Sequence, residues 1–181
     1  KLKIGFDPKL FSEANLVKNF LSKNVTLLPL KINLIDKLWS KRKKIINNKF
    51  FILNDKAVGK NYKDKINLVC KILKKRKINK LLITAPENLA WLLNVRGKDS
   101  IYSPLPNCHA ILDCKKKITL IVNKNKINNK FKLHFKNTLK YINPLYITKY
   151  FDGLNRNEFF LIDKFSCSFF YKKLIVKKFK Y

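Results

Sequence analysis

Methionine is missing from all 181 positions, the first included, so the sequence reads as a piece of a longer polypeptide. Long apolar runs are missing too. None approaches the roughly 20 residues of a bilayer-spanning helix, and the opening KLKIGFDPKLF has no signal-peptide core, which together point to a soluble chain. The four cysteines, Cys70, Cys108, Cys114 and Cys167, form no C-x-x-C pair, and His109 and His134 are the only histidines. Zinc sites need closely spaced ligand pairs, and the doublet Cys108–His109 would point to opposite faces of an extended strand. No metal site is expected from them. Unpaired thiols without an export signal favour the reducing cytoplasm. Acidic residues are scarce as well, 11 against 41 Lys and Arg.

What is abundant is positive charge. A net charge of +30 ordinarily indicates a polyanionic partner. Arginine, the preferred reader of bases and phosphates, occurs only at Arg42, Arg76, Arg96 and Arg156, and the other basic residues are lysines spread along every segment. The lysine excess comes with many Asn, Ile and Phe, residues whose codons are rich in A and T. Drift in base composition and a nucleic-acid role both remain open on composition, and either surface binds polyanions weakly and salt-dependently. At 46% hydrophobic residues, the length allows a sizeable core and one domain, or one and a fraction.

The pattern along the chain predicts alternating strands and helices. KIGFD (3–7) reads as a strand stopped by Pro8, followed by a helix after a Ser12 cap with Leu16, Val17, Phe20 and Leu21 at helical spacing. VTLLPL (25–30) is a second strand, and NLIDKLW (33–39) a short helix capped by Asn33 that presents Leu34, Ile35, Leu38 and Trp39. A basic, Asn-rich connector spans about 43–60, most simply a solvated linker, and separates a small unit at 1–42 from a domain at 61–181. In the second part, Asn61 caps a helix with Ile66, Val69, Cys70 and Leu73 on one stripe; KLLITA (80–85) is a buried strand. Pro86 opens a helix ending near Asn94, in which Trp91, Leu92 and Leu93 read as core. CHAILDC and KITLIV form a hairpin; 128–141 fits helix or strand; 146–148 and 158–163 read as strands, and 168–175 as a last helix with Ser166 near its start. The sum is an α/β fold, a mixed β-sheet flanked by helices.

LAWLLNVRGKDSIYSP (89–104), followed by LPNCHAIL, resembles the stretch of cytosolic-type aminopeptidase P (Xaa-Pro aminopeptidase) that reads I-A-W-L-L-N-I-R-G-S-D, then a Pro five residues on and a strand ending A-I-I. KIGFDPKLFS with LLPLKINLIDKLWSKR looks like the end of that family's first creatinase-like domain, and EFFLIDKFSCSFF resembles its later strand and S-C-S turn at Ser166 to Ser168. The resemblance implies a creatinase N-terminal-like domain over 61–181, preceded by the truncated tail of a similar domain. Lys98, Pro106 and His109 depart from the family pattern.

In the resembled enzymes a C-terminal pita-bread domain supplies two Asp, one His and two Glu to a pair of divalent metal ions, expected here to be Mn, which activate a water against the bond preceding proline. That domain needs a glycine-flanked histidine. Glycine occurs here only at 5, 59, 97 and 153, so the resemblance implies no metal ligand and no cofactor in this chain. It implies partners instead: the catalytic domain, a second subunit in a homodimer, and a peptide substrate at the rim, with no membrane and only non-specific nucleic acid. The substrate-entrance candidates are Arg96, Asp99, Tyr102 and Pro104. Arg96 offers a guanidinium to a carboxylate or carbonyl, Gly97 permits a turn closed to side chains, and Asp99 can tie the loop through backbone N–H groups. Pairing of Arg96 with Asp99 merely to fix the loop is the competing reading, and a basic α/β module that binds RNA is the competing function. His109 is expected packed on a strand, and His134 exposed.

Overall fold

The computed structural model describes residues 2–20, 22, 24–39, 41 and 48–181. Most of the basic run at 40–47, read as a solvated linker, lies outside the described residues.

The first elements are β1 (Leu2–Phe6), α1 (Glu13–Phe20), β2 (Val25–Pro29) and α2 (Leu34–Leu38). β1 and β2 run parallel in register from Leu2 opposite Val25 to Phe6 opposite Pro29. Ser12 Oγ accepts the Asn15 N–H and Asn33 Oδ1 accepts those of Ile35 and Asp36, so both helices start where a side chain can take orphan donors. The apolar residues that α2 was read to present face solvent: Leu34, Ile35, Leu38 and Trp39 are all exposed.

The second body begins inside the stretch read as a connector. Phe50 is buried, and β3 (Phe51–Ile52) pairs antiparallel with β5 (Val95–Arg96). Asn61 caps α3 (Tyr62–Lys75) by accepting the Asp64 N–H, and Tyr62, Lys65, Ile66, Cys70 and Leu73 are its buried residues. The main sheet has the order β8-β7-β6-β4-β9, formed by β4 (Lys80–Ile83), β6 (His109–Asp113), β7 (Ile118–Ile121), β8 (Leu139–Ile142) and β9 (Phe160–Ile162). β4 with β9 and β7 with β8 are parallel, whereas β6 is antiparallel to both neighbours, because a tight hairpin joins β6 to β7.

Alternation along the strands divides the core into two layers. Ile83, Ala110, Leu112, Ile118 and Leu120 pack with α3, α4 (Pro86–Leu93) and α5 (Asn129–His134); Leu82, Ile111, Ile121 and Phe160 pack with α6 (Ile147–Asp152) and α7 (Phe169–Val176). Buried on both faces, the central strands are near-continuous apolar runs. The expected mixed sheet flanked by helices is the observed architecture.

Three local expectations are corrected or resolved. The segment 128–141 is both helix and strand, α5 followed by β8. Residues 146–148 do not form a strand: Asn143 accepts the Leu145 N–H, Pro144 opens a 3-10 turn, and α6 follows with Ile147 and Phe151 buried one turn apart. Trp91 is not core: it is 51% exposed, while Leu89, Leu92 and Leu93 on the same helix are buried. The short α4 presents only one side to the sheet, and Trp91 lies on the other.

The N-terminal elements clasp the larger body through backbone. Phe169 N–H donates to Phe11 C=O (2.7 Å), Phe170 N–H to Pro8 C=O (2.8 Å), and the Phe6 and Phe169 rings meet edge to face at 5.3 Å.

Candidate functional site

Two regions carry the chemistry of this fold: the loop that the sequence singles out, and a hollow it does not. The loop leaves α4 through Asn94, whose left-handed backbone (φ 55) ends the helix. The carbonyl end of α4 is then met by two cations. Lys65 Nζ donates to Trp91 C=O (2.7 Å) and Asn94 Oδ1 (2.5 Å) and lies 4.8 Å from the Trp91 ring centre. Arg96 Nη1 donates to Ala90 C=O (3.1 Å) and Val95 C=O (3.0 Å). Cations at a helix C-terminus are favourable, and the carbonyls help explain how Lys65 can be buried. Burial, and then the Arg96 charge, hold the Lys65 ammonium below the usual lysine pKa.

Arg96 does not pair with Asp99. The Asp99 carboxylate accepts from Lys126 Nζ (2.5 Å) and from the Asn107 N–H (2.9 Å) instead, so it does tie the loop through a backbone N–H, as expected. Gly97 donates to Pro104 C=O (3.0 Å), and a Cβ there would meet Leu105 O at 2.7 Å and Pro106 Cα at 2.9 Å. Its need is close approach of two backbones; its φ is not positive. The loop thus closed holds Ile101 and Tyr102 out in solvent, 92% and 96% exposed, with Pro104 also exposed. Tyr102 and Pro104 share a shallow depression with Phe51, while Arg96 faces a different hollow lined by Lys65, Trp91 and Leu105. Three of the four entrance candidates therefore sit on one loop, and Arg96 is turned toward the end of α4.

The larger feature is a hollow of about 760 Å³ at one end of the sheet. Strands β4, β7, β8 and β9 all run toward it, and the segment 9–15 covers it from the N-terminal side. In open α/β sheets the crevice outside the carboxyl ends of the strands is the usual place for a ligand. His109, at the start of β6, has Nδ1 3.1 Å from Thr84 C=O; a carbonyl only accepts, so Nδ1 bears the proton and the neutral ring keeps a lone pair on Nε2. Burial holds its pKa below the ordinary histidine value, partly opposed by that hydrogen bond. The Thr84 and Ser166 hydroxyls bond at 2.9 Å, and the Tyr171 ring meets His109 edge-on at 5.3 Å. Burial pushes the Tyr171 phenol up to about 12, so it stays an O–H donor. The Cys108 and Cys167 thiols are also raised to about 12, which removes them as nucleophiles. Among the described residues no Asp or Glu lines the hollow.

Sequence reasoning missed this hollow because its residues come from six separate segments. The only signal was Ser166, quoted for the S-C-S turn, while His109 was read as a packed strand residue and is indeed partly buried. His134 is exposed, as expected. Among the described residues no three His, Cys, Asp or Glu side chains come together to hold a metal ion. A di-metal centre does not fit the described side chains. No helix among them is long and apolar enough to cross a membrane.

Comparison with known proteins adds to this geometry. The model of the creatinase/prolidase N-terminal domain matches residues 41–180. The probable Xaa-Pro aminopeptidase P of Coprinopsis cinerea is 33% identical over 132 residues, 71% of this chain and 21% of that protein. Xaa-Pro aminopeptidase app-1 of Caenorhabditis elegans is 28% identical over 144 residues, 78% of this chain and 23% of that one. The crystal structure of an X-prolyl aminopeptidase from C. elegans, described as a cytosolic enzyme with a di-nuclear active site, superposes with a TM-score of 0.73 at 23% identity, over 82% of this chain and 25% of that chain. That likeness shows the fold. The chain spans between about a fifth and a quarter of the length of these relatives.

Proposed function

This chain belongs to the creatinase/prolidase N-terminal domain family, and on that premise we propose that it is the non-catalytic N-terminal part of a cytoplasmic Xaa-Pro aminopeptidase. The carrying observation is the family match across 41–180, the whole of the larger body. It is homologous to the N-terminal portion of Xaa-Pro aminopeptidases. In this reading 1–42 is the end of a first creatinase-like domain, and the second domain, read from the sequence as 61–181 after a connection at 43–60, also takes in Phe50 and β3 from that connection. A separate catalytic domain would hold the two metal ions, Mn by expectation, and remove the residue preceding proline.

The role of this part is to shape the substrate entrance and support a dimer. The 97–106 loop supports that role, since Asp99 and Lys126 tie its base and Tyr102 stands exposed at its tip. Asp99 positions the loop, Tyr102 and Pro104 offer surface to an incoming peptide, and Arg96 holds the loop's start against α4.

Reading the gene past the Tyr181 codon tests the family reading: a glycine-rich domain with two Asp, one His and two Glu ligands is expected, and an immediate stop codon sinks it. In the full enzyme, Tyr102→Ala should raise KM for an Xaa-Pro tripeptide about 3- to 10-fold with kcat unchanged. Unaltered KM would remove Tyr102 from the entrance.

A further inference from the structure

The hollow at the carboxyl ends of the strands differs from the entrance loop in one respect that defines its occupant. Its walls mix apolar residues, Leu10 and Phe170 among them, with hydroxyls and amides such as Ser12, Asn15, Thr84 and Ser166, and its polar groups among the described residues are either neutral or cationic. Lys126 is already spent on Asp99, which leaves Lys9, exposed at the mouth with its Nζ 5.6 Å from the centre of the Phe170 ring. The lysine donates and bears charge, the Tyr171 hydroxyl donates, and His109 Nε2 accepts. A ligand satisfying all three carries an anion, an N–H group and an apolar body.

We infer that this hollow binds the carboxyl-terminal end of a short apolar peptide, its α-carboxylate at Lys9 and Tyr171, its last amide N–H toward His109 Nε2, and its side chains against the apolar walls. A cationic ligand gains nothing here, since no carboxylate among the described residues lines the site. A fully apolar ligand leaves the Nε2 lone pair and the phenol without partners, which a buried site penalises. The volume of about 760 Å³ suits two or three residues. No chemistry is assigned to the hollow. The inference does not rest on the aminopeptidase reading, because recognition of a peptide end needs only this chain.

The test is a titration of the 181-residue chain with the tripeptide Ala-Ala-Leu and with its C-terminal amide, followed by amide and imidazole NMR shifts. Saturable shifts at Thr84, His109 and Tyr171 with the free acid are expected, and binding about tenfold weaker for the amide, the worth of one charge-assisted contact. Lys9→Ala, an exposed substitution that leaves the fold intact, should weaken the acid to the level of the amide. Tyr171→Phe, which keeps the ring, should weaken the acid but not the amide. Equal binding of acid and amide overturns the carboxylate assignment, and an absence of saturable shifts at about 10 mM peptide overturns the site.

Discussion

Asp99 and Lys126, 27 residues apart, meet at 2.5 Å with 8% and 5% of their side chains exposed. The pair joins the tip-bearing loop to the segment following β7. Breaking such a pair from one side strands a buried charge, so Asp99→Ala should cost about 3–5 kcal/mol in urea unfolding. Replacing both partners with apolar residues, Asp99→Leu with Lys126→Met, should recover most of that loss. A single-variant loss below about 1 kcal/mol would mean that water reaches the pair.

Gly97 has its own cost. An alanine Cβ would press on the Leu105 carbonyl and Pro106 Cα, backbone atoms that cannot swing aside as a side chain would. Gly97→Ala should lower stability by about 1–3 kcal/mol and shift the amide resonances of 97–107. An unperturbed spectrum would show that the loop adjusts freely.

Trp91 and Leu93, two residues apart on α4, provide a paired comparison. Leu93 is 1% exposed and Trp91 51%. Leu93→Ala should destabilise by about 3 kcal/mol or more through the cavity it leaves. Trp91→Ala should cost only about 1 kcal/mol, mainly the Lys65 contact. Reversed magnitudes in thermal unfolding would place Trp91 in the core after all.

His109 gives a pH signature. Its pKa in the folded chain lies below the 6.5 of an unfolded histidine, so between the two values the unfolded chain binds more protons. The stability tied to His109 is therefore complete above pH 6.5 and falls as pH drops from 6.5 toward the folded value. His109→Gln should flatten that part of the stability profile. Burial raises the Asp113 pKa, but the hydrogen bonds and charges of Lys80 and Lys115 together lower it overall, so its effect falls in a separate window below 3.8. A variant profile parallel to the parent between pH 7.5 and 5.5 would count against a partly buried, neutral His109.

The elements were legible wherever local chemistry sufficed. Asn33 and Asn61 cap as read, Pro86 opens its helix, Asn94 ends it, and the 108–122 hairpin forms because apolar alternation and a short polar turn agree. The segment 146–148 went wrong because Ile147 and Tyr146 favour strands in isolation, whereas the upstream Asn143–Pro144 pair starts a helical turn. Trp91 was misjudged because periodicity identifies a helix but not which stripe of so short a helix meets the sheet. In the site, Asp99 was found as a loop tie, yet its partner Lys126 was invisible among so many lysines. Apart from Ser166 the hollow left no trace in the sequence, since β4, β6, β7 and α7 meet there only through the sheet order.

The clasp between the small N-terminal unit and α7 has a thermodynamic corollary. Part of the hollow's covering wall belongs to a unit that pairs only two strands, so detachment of that unit costs less than global unfolding. Any molecule that touches both sides must then tighten the clasp by as much free energy as the clasp lends to its affinity. Hydrogen exchange at Phe169 and Phe170 would serve as the gauge of that reciprocity.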